Sequence, residues 1–400
     1  MEPQRAAPVV FTGTRLGLGA VLLRGYALMV PTIGIYRFWL ATAKRRFYWG
    51  HTELGGDALE YTGTARQLLV GFLMALAVFL PLYGLFFFLS TQSTVTAVIG
   101  YGAVAVLLWF LSGYAAYRAR DFRLSRTLWR GIRFDQAGSA WGYALRRFLW
   151  SLLTLVTLGL AYPFMAGNLW AYRYRHSWFG NRQFAFEGSW KQLALPYYLA
   201  WLGVVALAIL ALVLFVRSGR LDSPFAGDPA GYLWLALPGA AAFVLVTLYR
   251  AVEMTRMFSA VRLGAAALTL RITLRGLLGQ YLLFGLALVA AYLLLALGGA
   301  VVLGVVAGEA FVGGGIDPGR LMASMQSSLV TLLAIVFGYL LVFAAFAFVS
   351  ELFLGFGFWR LAARGASVTG LDSLADVRAR AEDKALAGEG LADALNVGGY

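Results

Sequence analysis

Eight apolar runs, each near the length of a membrane crossing, leave this chain few folds to adopt. They cover residues 16–41, 68–90, 94–117, 148–170, 193–216, 231–249, 277–307 and 327–358. A helix needs roughly 20 such residues to cross the hydrocarbon core, where backbone polar groups must be bonded within the chain. With 60% hydrophobic and only 13% charged residues, lipid is the solvent for most of the protein. The runs are continuous rather than alternating, which argues against an outer-membrane barrel. The expected fold is therefore all-α: a polytopic transmembrane helical bundle with short β-hairpin-like linkers.

The net charge of +14 could suggest nucleic acid, but the placement of the charge argues otherwise. Of the 33 basic residues, 26 fall in five linker stretches: 44–67, 118–147, 171–192, 249–275 and 358–400. The remaining loops hold Arg217, Arg220 and Arg320 against Asp222, Asp228, Glu309 and Asp317. Clustering at alternate membrane borders follows the positive-inside rule. If all eight runs crossed once, however, the basic linkers on either side of 148–170 would lie on opposite sides of the membrane. The run at 16–41 raises the same conflict. Each carries a proline near a glycine, Pro31 with Gly34 and Gly159 with Pro163, and these are read as structural kinks. Six full spans and two re-entrant or interfacial segments reconcile the charges, with both termini on the cytoplasmic side.

The two kinked runs belong to a repeated unit. Gly34, Tyr36, Trp39, Arg45, Arg46, Gly50, Gly63 and Gln67 are echoed by Gly159, Tyr162, Trp170, Arg173, Arg175, Gly180, Gly188 and Gln192. An aromatic, a spacer, a glycine and a hydroxyl recur before hydrophobic runs, as in Phe11–Thr14, Tyr61–Thr64 and Phe186–Ser189, which suits a turn followed by a helix cap. Short β-prone stretches precede them, and Leu268–Leu274 alternates as a half-buried strand. The expected organisation is a polar start at 1–10, units at 11–130 and 131–250, a divergent third unit at 251–370 and a tail at 371–400. In that tail an amphipathic helix is expected from Ser373 to Leu386.

Several of these residues resemble the YjgN-like family of bacterial inner-membrane proteins. The likeness lies in Thr32-Ile33-Gly34-Ile35-Tyr36, Trp39, Arg45-Arg46-Phe47-Tyr48 and His51-Thr52-Glu53-Leu54-Gly55-Gly56. It continues in Thr157-Leu158-Gly159-Leu160, Thr255-Arg256, Arg262-Leu263-Gly264, Leu371-Asp372-Ser373 and Ala394–Gly398. The later part lacks a third Thr-Leu-Gly copy, and Pro163-Phe164 stands where the family has Pro-Trp. The resemblance implies a bacterial inner-membrane protein and no particular activity.

The search for chemistry is largely negative. There is no cysteine, and His51 and His176 lack the convergent donors that a metal requires. Gly365–Gly370 has a serine but no histidine base beside it, and no Gly-Lys-Ser/Thr phosphate loop is present. The reading is a non-enzyme with no cofactor and no metal. Arg24 and Glu351 lie inside apolar runs, where ionisable side chains are costly without a partner. The simplest account has Arg24 snorkelling and Glu351 paired with Arg360. Arg45, Arg46, Arg173 and Arg175 stand among aromatics that suit the headgroup layer. Together with Arg24 and Glu351 they form the candidate site for a ligand or lipid headgroup. Partners by this reading are anionic membrane lipids, with a second copy of the chain or another protein also open, and no nucleic acid. A transporter, channel or lipid-handling protein is one function class; a membrane scaffold for a cytoplasmic partner is the other.

Overall fold

Strands too short to stand alone organise the molecule, because each pair brackets two helices. A computed structural model describes residues 6–217, 233–312 and 315–380. The chain runs β1 (Ala7–Phe11), α1 (Arg15–Met29), α2 (Arg37–Gly50), β2 (Thr52–Leu54), then β3 (Asp57–Tyr61), α3 (Ala65–Ser90), α4 (Thr94–Ser125), β4 (Thr127–Trp129). It continues β5 (Ile132–Gln136), α5 (Ala140–Val156), α6 (Tyr162–Arg175), β6 (Ser177–Phe179), then β7 (Arg182–Gln183), β8 (Ala185–Phe186), α7 (Trp190–Arg217), α8 (Leu233–Phe258), β9 (Val261–Leu263). The last unit holds β10 (Ala266–Leu270), α9 (Leu274–Val306), a small hairpin of β11 (Phe311–Val312) and β12 (Gly315–Ile316), α10 (Pro318–Ser327), α11 (Leu329–Val349), a π-helical stretch Ser350–Gly355, α12 (Phe356–Gly365) and β13 (Ala366–Thr369).

The expectation of an all-α bundle is thus corrected. The linker strands join into one antiparallel sheet of eleven strands in the order β7-β6-β5-β4-β3-β2-β1-β13-β10-β9-β8. Its two ends, β7 and β8, are parts of one stretch, Arg182–Phe186, which pairs with β6 through Gln183 and with β9 through Ala185. The sheet therefore closes into a ring, with β13 joined to β1 by Ala7↔Val368. Closure explains how strands of two to five residues persist: each from β1 to β6, with β9, β10 and β13, has a neighbour on both sides, and β7 and β8 share one stretch between β6 and β9. Between units the strands turn in two residues, at Gly55-Gly56 (φ 61° and 88°) and Arg130-Gly131 (φ 52° and 73°). Positive φ at both positions is the tight hairpin geometry that matches strand twist.

Eight strands make a barrel that side chains alone can fill, and a wider one leaves room inside. Here the extra space takes the chain itself. After β13 a 3-10 turn, Leu371–Leu374, carries Leu374 and Val377 into a core with Trp129, Phe179, Leu263 and Ala266. The plug is fastened by Arg182, which donates to the Ser373 carbonyl at 2.8 Å and meets Asp376 at 3.1 Å. The amphipathic helix expected from Ser373 is therefore absent over its described part. Enclosure by the ring favours a short turn there. Residues 381–400, including the rest of that helix and Ala394–Gly398, lie outside the described residues, as do Arg220, Asp222 and Asp228 of the 217–230 loop.

Each unit leaves the ring by one strand and returns by the next, so α1 to α9 and α12 adjoin the ring while α10 lies between α9 and α11. Among the described residues, six helices are long and apolar enough to cross a membrane: Ala65–Ser90, Thr94–Ser125, Trp190–Arg217, Ala236–Phe258, Leu274–Val305 and Leu329–Gly365, the last including the π-helical stretch and α12. Threonine or serine caps start four of them, at Thr64, Ser93, Thr273 and Ser328, and Thr14, Thr64 and Ser139 cap the helices that follow their strands by accepting from Gly17 N, Gln67 N and Gly142 N. This is the helix-cap role expected of the aromatic-glycine-hydroxyl motif. The glycine is needed because the preceding aromatic folds over it: a Cβ at Gly13, Gly63 or Gly188 would strike the ring of Phe11, Tyr61 or Phe186.

The two kinked runs form helix–turn–helix hairpins, α1/α2 and α5/α6, rather than single bent helices. Fifteen residues of α1 reach about 22 Å at 1.5 Å per residue, short of a hydrocarbon core of about 30 Å. Their turns are alike. Thr32 Oγ1 donates to Leu28 O and accepts from Tyr36 N, while Thr157 Oγ1 donates to Leu153 O and accepts from Ala161 N. Gly34 and Gly159 take φ of 80° and 98°, and Ile33 and Leu158 beside them are also left-handed, at 49° and 51°. Pro31 lies within its turn, but Pro163 sits in the first turn of α6, where a proline starts a helix instead of kinking one.

Candidate functional site

Of the residues singled out from the sequence, Arg45, Arg46, Arg173, Arg175 and Glu351 lie towards the ends of their helices that meet the ring, though not at one point, while Arg24 lies away from them in α1. Arg45 of α2 donates to Tyr61 OH at 2.9 Å and lies over that ring. Arg46 is exposed and reaches Gly63 O at 3.3 Å. On α6, Arg173 lies 4.8 Å over Trp170 while Arg175 is exposed. Arg24 points outward from the middle of α1 and is exposed. The two hairpins do not face one another: α2 packs on α3, α3 on α4 and α4 on α5, so a pair of long helices separates them.

Glu351 has a different partner from the one expected. It sits in the π-helical stretch of the last unit, and its carboxylate meets Lys44 Nζ at 2.6 Å and accepts from Tyr48 OH at 2.9 Å. Arg360 is not its partner. The π-stretch adds a residue to the turn and brings the last helix against α2, where Leu18, Leu22, Leu40, Tyr48 and Phe356 share a core. Trp359 then donates to Thr52 Oγ1 at 2.9 Å. The same linkage recurs around the ring: Trp49 donates to Thr127 Oγ1 at 2.8 Å and Arg120 to Ser177 Oγ at 2.9 Å. Each hydroxyl also donates back to the last turn of the helix it follows.

A second carboxylate escaped the sequence reading because it lies in a stretch taken for a basic linker. Glu253 of α8 is buried, accepts from Tyr162 OH at 3.1 Å and meets Arg250 at 3.4 Å. Tyr162 opens α6, so here too a carboxylate on a long helix ties down a short hairpin. Its only advance signal was an acid among apolar neighbours on a helix-length run.

The far tips of the hairpins have the opposite character. Ile33 is 93% exposed and Leu158 79%, each in a left-handed conformation that disfavours side chains with a Cβ, and a β-branched one most. At the second tip the turn carbonyls are served by α7: Trp201 Nε1 donates to Leu158 O at 3.0 Å, Tyr197 OH to Gly159 O at 2.7 Å and Tyr198 OH to Leu160 O at 3.0 Å. Three donors aimed at one turn suit a medium without water, where open carbonyls are costly. Replacing Tyr198 and Trp201 together by Phe should cost about 1–3 kcal/mol. The expected result is faster proteolysis near the 157–161 turn in detergent, with α7 itself intact.

A family model described as a bacterial protein of unknown function, DUF898, matches residues 6–394. No curated protein and no solved structure matches the chain. The matched span takes in the ring from β1 to its plug, both short hairpins and all six long helices, and it agrees with the resemblance carried by Thr32–Tyr36 and Thr157–Leu160. The chain thus belongs to the DUF898 family of bacterial proteins of unknown function.

Proposed function

We propose that this is a lipid-handling protein of the bacterial inner membrane, whose two short hairpins enter one leaflet and hold anionic headgroups at their basic ends. The observation that carries the reading is the polarity of each hairpin. Apolar tips at Ile33 and Leu158 are exposed at one end, while arginines among aromatics, Arg45, Arg46, Arg173 and Arg175, stand at the other. A helix pair about 22 Å long with that polarity spans one leaflet and its headgroups. Arg24 snorkels from mid-hairpin towards the same phosphates. Positive charge at the ring end supports a cytoplasmic position for the ring.

The alternative, a scaffold that recruits a partner through its strands, fits less well. Strand addition requires an open edge, and the ring pairs its strands with one another; the tail, the other partner surface of that reading, lies outside the described residues from 381 on. The test is lipid analysis of purified protein beside an Arg46→Ala/Arg175→Ala variant. Enrichment of anionic over zwitterionic lipid is expected for the wild type, falling about fivefold at each hairpin in the variant, from the roughly 1 kcal/mol that one basic residue supplies. Bulk membrane composition on the wild type would overturn the proposal.

A further inference from the structure

One junction in the ring departs from the others. Gly13, Gly63, Gly138 and Gly188 stand between strand and helix in four units, but the fifth has Arg271-Ile272 there. Thr269, Arg271 and Thr273 alternate along β10 and its exit, so they share the outer face, while Leu270 and Ile272 are buried on the other. Thr269 stands opposite Ser367 of β13, and their hydroxyls lie 2.7 Å apart. Arg271 N donates to Gly365 O at 2.9 Å, which brings Arg364 alongside. Only glycine permits that approach, because a Cβ at Gly365 would collide with the Arg271 carbonyl. The result is a cavity of about 480 Å³, open on one side, lined by two arginines and three hydroxyls.

Its charge is not neutralised by the residues described. Arg271 and Arg364 form no ion pair with any described residue, nor do Arg360, one turn earlier in α12, and Arg15 at the start of α1, which lies within electrostatic reach of Arg360. Elsewhere in the ring Arg130, Arg182 and Arg262 meet Asp57, Asp376 and Glu187. Two guanidinium forks beside hydroxyl donors, with no lining carboxylate, match a tetrahedral dianion. Thr273 caps the long apolar helix α9, so the cavity opens where the chain passes from the ring into that helix.

We infer that this seam pocket, separate from the hairpin arginines, binds a phosphate monoester, presented by a lipid headgroup or as free phosphate. The experiment measures phosphatidic acid binding to full-length protein in nanodiscs of phosphatidylcholine containing a few per cent of that lipid. It compares the wild-type pocket, Arg271→Gln/Arg364→Gln and the control Arg146→Gln. With the hairpin arginines removed by Arg46→Ala/Arg175→Ala in every protein compared, a loss of about tenfold or more is expected for the double variant alone, with Arg271→Lys, which keeps the charge but not the fork, intermediate. The Arg46→Ala/Arg175→Ala variant should keep the pocket's binding, so failure of the leaflet reading is distinguishable from failure here. Competition by millimolar inorganic phosphate assigns the pocket to free phosphate, and its absence assigns it to the lipid headgroup. Equal affinity in the wild-type pocket and the double variant, or an equal loss in Arg146→Gln, would overturn the inference. Unchanged thermal transitions separate a binding loss from unfolding, and Ser367→Ala, which keeps both arginines, gives a smaller loss if the double variant unfolds.

Discussion

Leu374→Asp should open the ring at its core, with a loss of at least about 5 kcal/mol. Leu374 is 7% exposed and packs with Trp129, Phe179, Leu263, Ala266 and Val377. Truncating a buried leucine costs about 2–5 kcal/mol, and a carboxylate there adds desolvation without a cation in contact. The neighbouring polar anchors, Arg182 to Ser373 O and Arg182 to Asp376, lie at the rim and cannot follow the side chain inward. The expected signature is local: protease cuts in the β2–β3, β4–β5 and β6–β7 turns at temperatures where the long helices keep their circular dichroism. Leu374→Met, similar in volume, should leave both signals unchanged. If Leu374→Asp behaves like Leu374→Met, the plug does not support the ring.

The plug also explains how a ring of ten strand positions, built from strands of two to five residues, can hold together. The inward residues come from every part of the chain: Leu54, Leu59, Ile132, Phe134, Phe184 and Val368 pack around the same cluster. No single hairpin could bury them. The helices pack in pairs, α4 with α5, α7 with α8 and α9 with α11, yet much of their apolar surface stays exposed, as at Leu286, Leu293 and Leu297 of α9. In lipid such surface carries no hydrophobic penalty. The ring, rather than the bundle, therefore fixes where each helix begins.

How much of this was legible in the sequence follows from the range of each interaction. The long helices were legible because twenty apolar residues in a row need no partner to be recognised. The turns at Thr32–Tyr36 and Thr157–Ala161 were partly legible, since Gly34 and Gly159 marked where the chain must adopt positive φ. That each turn joins two helices was not evident, because Ile33 and Leu158 beside the glycines give no hint of left-handed backbone. The ring was hidden for another reason. Its strands were recognised as linkers, but closure depends on pairs such as Ala7↔Val368 and on Arg182–Phe186 changing partner midway. Pattern along a chain carries no information about such distant registers. The basic site was legible as residue types only: the long pair α3/α4 between the hairpins separates the arginines that the repeat appeared to bring together.

Lys44 and Glu351 show the same limit in one contact and give the second strong prediction. They are 307 positions apart, yet their charged atoms lie 2.6 Å apart with Tyr48 OH on the other carboxylate oxygen. Their side chains are 29% and 16% exposed, so water screens the pair only in part. Lys44→Met leaves a carboxylate at the membrane border with one hydroxyl donor. The expected cost is about 2–4 kcal/mol, a little below that of breaking a fully buried pair. Glu351→Gln alone should cost less, because a neutral amide beside Lys44 still accepts a hydrogen bond and the ammonium can reach water. The double variant Lys44→Met/Glu351→Gln removes both charges and should recover at least half of the loss, since no ion is then stranded. Thermal unfolding of the four proteins in one detergent forms a double-mutant cycle. A coupling above about 1 kcal/mol means that this ion pair fastens the first hairpin to the last helix and so closes the circle of units. Additive losses would mean that the hydrophobic contacts of Leu18, Leu22 and Phe356 hold that seam by themselves.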